Sequence, residues 1–333
     1  MKEVPVEKAI GMQLGHDLTQ IIPGKFEGVA FRKGHLIREE DIPVLHSMGK
    51  FHVYVMEISN AELHEEEAAL EIANSVRGDG VELTPPSQGR VNLIAQYDGL
   101  VMVDQQLLYE INSVPEVILA SVQNGIPVKK GEIVAGTRII PVKIDRKSIE
   151  TVKQIASSKP KISITPFTSL KVGMIVTGTE VYKGLIKDGF EKKVKKKLGA
   201  YNSQITKRIV VPDEKARIVS AIQLMLNEKI DLLILTGGMS VDPDDRTPGA
   251  IREAGIDIVS YGVPVLPGSM FLMGYYGELP VMGLPGCVMW DPVTVFDIVL
   301  PWIVARKRIT KSDLIKLGYG GLLSRKPHTE GHH

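Results

Sequence analysis

The chain contains a single cysteine, Cys287, in 333 residues. That excludes an intramolecular disulfide and a thiolate zinc cage, and it fits a reducing compartment. Charge of one sign is also missing, because 40 Lys and Arg against 39 Asp and Glu leave a formal net charge of +1. Without a global electrostatic bias, neither nucleic acid nor an anionic membrane is expected as a partner, and any anion recognition has to be local. No apolar run approaches the roughly 18 residues of a membrane span. The opening MKEVPVEKAIG lacks the apolar core of a signal peptide, so a cytoplasmic protein with no membrane partner is expected. The phosphate-loop pattern GxxxxGK(S/T), the dinucleotide pattern GxGxxG, the nucleophile elbow GxSxG and the zinc motif HExxH are all absent. His16, His35, His46, His52 and His64 are scattered without ligand spacing and read as surface or satisfied residues.

What is present is a soluble-type composition, 44% hydrophobic and 24% charged, on a chain too long for one ordinary core. Residues 1–145 read as a β-rich accessory region, with short strand-like runs (VAFRKGHLI, FHVYVMEI) around a helical stretch, REEDIPVLHSMG, that stops at Gly49. One amphipathic helix is expected near 61–77, with Leu63, Ala68, Leu70, Ile72 and Val76 on its apolar side and Glu65 to Glu67 on its wet side. FRKGHLI and VKKGEIV share a basic-Lys-Gly turn between β-branched residues and read as two similar hairpins. Residues 146–165 read as a helix and linker, 311–323 as a C-terminal tail, and 324–333 as a tag remnant ending in two histidines.

Between 166 and 310 strands and helices alternate. KVGMIVTGTE, SQITKRIVV, DLLILTGG, DIVSYGV and PVMGLPG are strand-like. KDGFEKKVKKKLG, DEKARIVSAIQLMLNEK and DPVTVFDIVLPWIVARK are helix-like, the second with Asp213 and Glu214 at its opening. TPGAIREAG reads as a short helix with Thr247 as N-cap, Pro248 first and Gly255 as stop. Apolar strands alternating with helices indicate a mostly parallel sheet covered on both faces, with ligands bound at the carboxyl ends of the strands.

Three of those ends carry glycine: Thr177-Gly178-Thr179-Glu180, Thr236-Gly237-Gly238 and Leu284-Pro285-Gly286. Glycine lets backbone amides converge on a ligand, so turns sharing one edge form a candidate phosphate or carboxylate cradle. Asp242, Asp244 and Asp245 follow the second turn, where they either cap and solvate it or hold a Mg2+ against a bound anion. Asp188 is either a second acid across the cavity or the residue that forms an Asp-Gly turn. Lys192, Lys193 and Lys195 to Lys197 read first as a solvated helix face, with anion steering as the alternative. Cys287 is either a packed residue or a thiol activated by a nearby helix start.

The series VTGTE, ILTGGMSVDPDDRTPGAI, GVPVLPGS and GLPGCVMWDPVTVF resembles, in order and spacing, the molybdopterin-binding domain. That domain is shared by molybdopterin molybdotransferases, gephyrin, molybdopterin adenylyltransferases and competence-damage-inducible proteins. The resemblance covers roughly 165 to 310, and VEKAIGMQLGHDLTQ and FRKGHLIREEDIPVLHSMGKFHVYV are similar to accessory segments of the molybdotransferases. It implies a three-layer α/β/α domain that binds the pterin phosphate or its adenylylated form. Thr236, Gly237, Gly238 and Ser240 would hold the phosphate, helped by Thr177, Gly178, Thr179 and Glu180. Asp242 and Asp245 would form the metal or catalytic corner together with Asp188, while Leu284, Pro285 and Gly286 would line the far wall. Three departures stand out. Lys187-Asp188-Gly189-Phe190 replaces the family's Asp-Ser-Asn run, Cys287 replaces an Asn, and the accessory Met-Asp-Gly-Tyr segment has no counterpart.

The resemblance implies a protein of molybdenum cofactor biosynthesis that binds molybdopterin or adenylylated molybdopterin, with molybdate insertion assisted by Mg2+ as a further expectation. A non-catalytic carrier serving a molybdoenzyme, and a nucleotide pyrophosphatase acting on a dinucleotide such as ADP-ribose, are the alternatives. A homo-oligomer is expected on the same ground.

Overall fold

The computed structural model describes residues 2–22, 26–56, 61–239 and 246–323. Residues 2–56 contain an antiparallel sheet ordered Lys2–Pro5, His52–Met56, Gln13–Leu14, and a separate pair formed by Leu18–Ile22 and Phe26–Phe31. Their core is their own and includes Val6, Leu14, Ile37, Leu45 and Val55. The expected helix forms as Ile42–Ser47 and is followed by Gly49 at φ 71°, a conformation that favours glycine.

The two basic-Lys-Gly segments are not hairpins. Phe31 pairs with Leu18 while Leu36 bridges Gln13, and the strands flanking Gly131 pair with different partners altogether. Only the turn is shared, with φ 80° at Gly34 and 87° at Gly131.

Next come α1 (Glu65–Val76), β1 (Val81–Leu83), β2 (Arg90–Ala95), α2 (Gln105–Asn112), β3 (Val117–Ser121), β4 (Ile133–Ile139) and α3 (Arg146–Ser157). The four strands form an antiparallel sheet ordered β3-β4-β2-β1. One face, through Val91, Leu93 and Leu119, shares a core with Ala68, Ile72 and Val76 of α1 and with Ile149 and Val152 of α3.

The buried stripe of α1 is thus spaced by four residues, which turns Leu70 outward to 36% exposure and leaves Leu63 in the preceding strand, Glu62–His64. Glu65 is not on the wet face either. It is 5% exposed, and its carboxylate meets Lys33 Nζ at 2.6 Å. Residues Ser163–Pro166, which straddle the expected end of the linker at 165, form a strand against Gly99–Met102.

The remaining elements that bear on the site are β5 (Lys171–Thr177), α4 (Thr179–Tyr182), α5 (Phe190–Gly199), β6 (Gln204–Val211), α6 (Lys215–Leu226), β7 (Leu232–Thr236), α7 (Thr247–Glu253), β8 (Asp257–Tyr261), β9 (Leu272–Tyr276), β10 (Leu279–Leu284) and α8 (Val295–Val304). The sheet order is β6-β5-β7-β10-β9-β8. The first four strands run parallel, β9 pairs antiparallel to β10, and β8 pairs antiparallel to β9.

Alternation along each strand separates two cores. Val172, Met174, Val176 and Ile234 face α5 and α8 through Phe190, Val194, Phe296 and Val299. Ile175, Leu233 and Leu235 face α6 and α7 through Ile218, Ile222, Ala250 and Ile251. This is the three-layer α/β/α arrangement expected from the sequence. The middle sheet region is tied to it where Trp302 Nε1 donates to the Gly125 carbonyl at 2.8 Å.

Candidate functional site

Register places the three glycine turns side by side. Val176 lies opposite Thr236 and Thr236 opposite Leu284, so the parallel strands β5, β7 and β10 end on one edge. There the chain after Thr236 takes φ 87° at Gly237 and 54° at Gly238. A Cβ on Gly237 would lie 2.1 Å from the Thr177 carbonyl oxygen, and one on Gly238 2.7 Å from Thr247 Oγ1. The two glycines are therefore required by close packing of one turn on another as well as by backbone angle. The amides of Gly237 and Gly238 donate to no acceptor among the described residues.

Three threonines meet at this edge. Thr247 Oγ1 donates to the Gly237 carbonyl at 3.0 Å and lies 3.3 Å from Thr177 Oγ1. Thr177, Thr236 and Thr247 are all buried, and the Thr236 hydroxyl has no hydrogen-bond partner among the described residues. Thr247 is thus not the N-cap of its helix. The helix begins at Thr247 itself with Pro248 second, because the hydroxyl is committed to the neighbouring turn and does not fold back on its own amides.

Asp213, read from the sequence as part of the opening of α6, serves the site edge. Its Oδ2 accepts from the Thr179 amide at 2.8 Å, capping the short α4, while Gly178 takes φ 147° and donates to Val211 O. Glu180 is exposed, and its carbonyl accepts from Leu185 N to close the next turn. On the far wall, Pro285 precedes the 3-10 turn Gly286–Met289, and a Cβ on Gly286 would meet nothing within 4 Å, so the cleft is open there.

The flanking candidates have structural partners. Asp188 accepts from Phe190 N at 2.8 Å and from Arg208 Nη2 at 3.1 Å, which makes it a cap of α5 and half of an ion pair. In the lysine run, Lys195 pairs with Glu191 at 2.6 Å, and Lys197 is held by Asp297 of α8, so Lys197 does not belong to a solvated face. Of the two readings of Cys287, the packed residue is the one its surroundings favour. Burial, reinforced by the Asp291 carboxylate, pushes its pKa from 9.0 up to about 11. Proximity to a short 3-10 turn does not compensate for lost hydration.

Ser240, Asp242, Asp244 and Asp245 lie outside the described residues. Among the described residues, no group of three or more His, Cys, Asp or Glu is placed to hold a metal ion. No helix among them is long and apolar enough to cross a membrane. Asp213 and the Thr247 hydroxyl were missed from sequence because both sit at ordinary helix-start positions, and only the fold shows which turn each one serves.

Residues 173–304 match the family described as "Probable molybdopterin binding domain", and residues 3–57 match a separate one, "Domain of unknown function (DUF8806)". A Methanocaldococcus jannaschii protein named for molybdopterin biosynthesis is 34% identical over 101 residues, covering 30% of this chain and 25% of that protein. A molybdopterin molybdenumtransferase of Synechococcus elongatus is 25% identical over 158 residues, 44% of this chain and 39% of that one. A CinA-like protein of Pseudothermotoga lettingae is 33% identical over 86 residues, 26% and 21% of the two chains. This chain thus spans between 21% and 39% of the length of these three relatives. Among solved structures, the molybdopterin biosynthesis enzyme MoaB of Thermus thermophilus aligns with 24% identity over 40% of this chain and 91% of its own, at a TM-score of 0.34. With its family match, its ordered glycine turns and its three-layer core, the segment 173–304 belongs to the molybdopterin-binding domain family.

Proposed function

We propose that the edge formed by the ends of β5, β7 and β10 binds molybdopterin, or its adenylylated form, through the phosphate, in the service of molybdenum cofactor biosynthesis. The observation that carries this reading is the set of donors at one turn that have no partner among the described residues. They are the amides of Gly237 and Gly238 and the fully buried Thr236 hydroxyl. Buried polar groups without partners are rare in folded proteins and are satisfied by water or ligand. Amides presented by a glycine turn suit a phosphate. Thr177 and Thr247 hold the turn in shape, and the open space at Gly286 leaves room for the rest of the ligand. Asp242 and Asp245 are the residues that would hold a Mg2+ there. Bound, such an ion would neutralise phosphate charge and polarise a scissile bond.

Titration of the protein with molybdopterin, followed by pterin fluorescence and by native mass, tests the reading. Saturable binding at about micromolar concentration or tighter is expected, and no binding in that range removes it.

A second reading, a non-catalytic carrier, is favoured by one feature. Asp188 is engaged by Arg208 and Phe190, and Cys287 stays protonated, so neither is a free base or nucleophile. Asp245→Asn separates the two. Loss of molybdate insertion with unchanged pterin affinity means transfer chemistry, whereas a protein that binds pterin and never inserts molybdate is a carrier. Release of AMP from ADP-ribose without any pterin affinity would replace both.

A further inference from the structure

The outer face of the β3-β4-β2-β1 sheet, on the side away from α1 and α3, breaks an ordinary rule of strand pairing. Arg138 of β4 lies directly opposite Arg90 of β2. Like charges directly opposite on antiparallel strands repel and destabilise the pair. Neither guanidinium has a carboxylate within ion-pair distance among the described residues. Among the described residues, the one hydrogen bond from these two side chains runs from Arg138 Nε to the Ile139 carbonyl at 3.4 Å.

The neighbouring row on the same face is Ala120, Gly136 and Asn92. Glycine inside a strand loses packing and marks a close approach by something else. Here a Cβ on Gly136 would lie 3.2 Å from Asn92 Oδ1 and 3.4 Å from both Nε and Nη2 of Arg90. The Arg90 guanidinium is therefore laid across the sheet in the gap that glycine leaves, beside a buried Asn92 side-chain oxygen that has no partner among the described residues. A bulge between Ile133 and Ala135 bends β4 next to this row. The result is a cavity of about 420 Å³ with Arg90, Arg138 and Ile118 in the row at one end and Val122 and Ile133 towards the other. Ile118 and Ile133 are exposed, at 38% and 50%.

We propose that this sheet face is a second ligand site, separate from the glycine turns, for a small organic anion. A phosphate or carboxylate head would sit on Arg90 and Arg138, with a compact apolar body over Ala120 and Gly136 towards Ile133. Guanidinium forks match both oxyanions in shape and donor geometry. An anion would turn the repulsive pair into a shared counter-charge. The polar edge of the body would reach Asn92.

The test uses the full chain, deuterated, with amide shifts recorded during titration with phenyl phosphate, benzoate and uncharged phenol. Saturable shifts confined to β2, β3 and β4 are expected for the two anions and none for phenol. The tighter of the two anions identifies the head group. Arg90→Gln and Arg138→Gln should each weaken binding by about tenfold or more, and added salt should weaken it in the native chain. Neither substitution should lower the unfolding midpoint, because each relieves repulsion at an exposed pair. The proposal is overturned by shifts at the Gly237 turn alone, by equal affinity for phenol, by unchanged affinity in both variants, or by the absence of any saturable shift.

Discussion

Thr247 Oγ1 donates to the Gly237 carbonyl at 3.0 Å and lies 3.3 Å from Thr177 Oγ1. One hydroxyl at the first residue of α7 thereby fixes the turn after β7 against the end of β5. The shape of the proposed phosphate cradle depends on this contact more than on any charged side chain among the described residues.

Thr247→Val keeps the volume and removes the bond, leaving the partly buried Gly237 carbonyl and the Thr177 hydroxyl short of a partner. A loss of about 1–3 kcal/mol is expected in chemical denaturation. Pterin affinity should fall with it, while Thr247→Ser retains most of both. Equal pterin affinity in the valine and serine variants would remove the turn-fixing role.

Gly237→Ala should be more damaging than a usual surface change. The residue would be held at φ 87° with a Cβ 2.1 Å from the Thr177 carbonyl, so the turn must move. A loss of at least about 2 kcal/mol is expected in denaturant unfolding, with pterin binding abolished. A variant that binds pterin normally would show that the cradle lies elsewhere.

Asp188→Ala tests the partition between structure and chemistry. Because its carboxylate caps Phe190 N and pairs with Arg208, the expected effect is a loss of about 1 kcal/mol of stability. Pterin affinity should be unchanged. A large drop in affinity with no change in unfolding would return Asp188 to the site.

Cys287 supplies the pH dependence. Its folded pKa of about 11 stands above the ordinary 9.0, so between those values the native protein binds more protons than the unfolded chain. Stability contributed by this group is intact below about pH 9 and is lost as pH rises towards 11. Alkylation by iodoacetamide should be slow at neutral pH. Its rate should climb about tenfold per pH unit up to the folded pKa. A plateau near pH 7 would mean an activated thiol after all.

The α/β half was legible in the sequence because its signals are local. DLLILTGG is apolar along its whole length, as a strand buried on both faces must be, and TPGAIREAG carries its own start and stop. The resemblance of four glycine-bearing motifs in order led to the same domain that the family match over 173–304 shows. FLMGYYG was not read as a strand. It forms β9, antiparallel to β10, and only pairing with its neighbours marks it out.

What the sequence by itself determined is therefore the period of each element, the glycine at each strand end and the order of the turns. All of these depend on a residue and its near neighbours along the chain. Tertiary structure decided which partner each polar group takes. Glu65 faces inward because Lys33 approaches it, Asp213 caps α4 because β6 ends beside β5, and Thr247 spends its hydroxyl on Gly237. The Cys287 thiol is kept neutral by burial, and Arg138 is set against Arg90 by the register of two strands. Hydrogen bonds, desolvation and ion pairing act over a few ångströms in space, between residues that lie from ten to several dozen positions apart in the chain, and no local pattern encodes that distance.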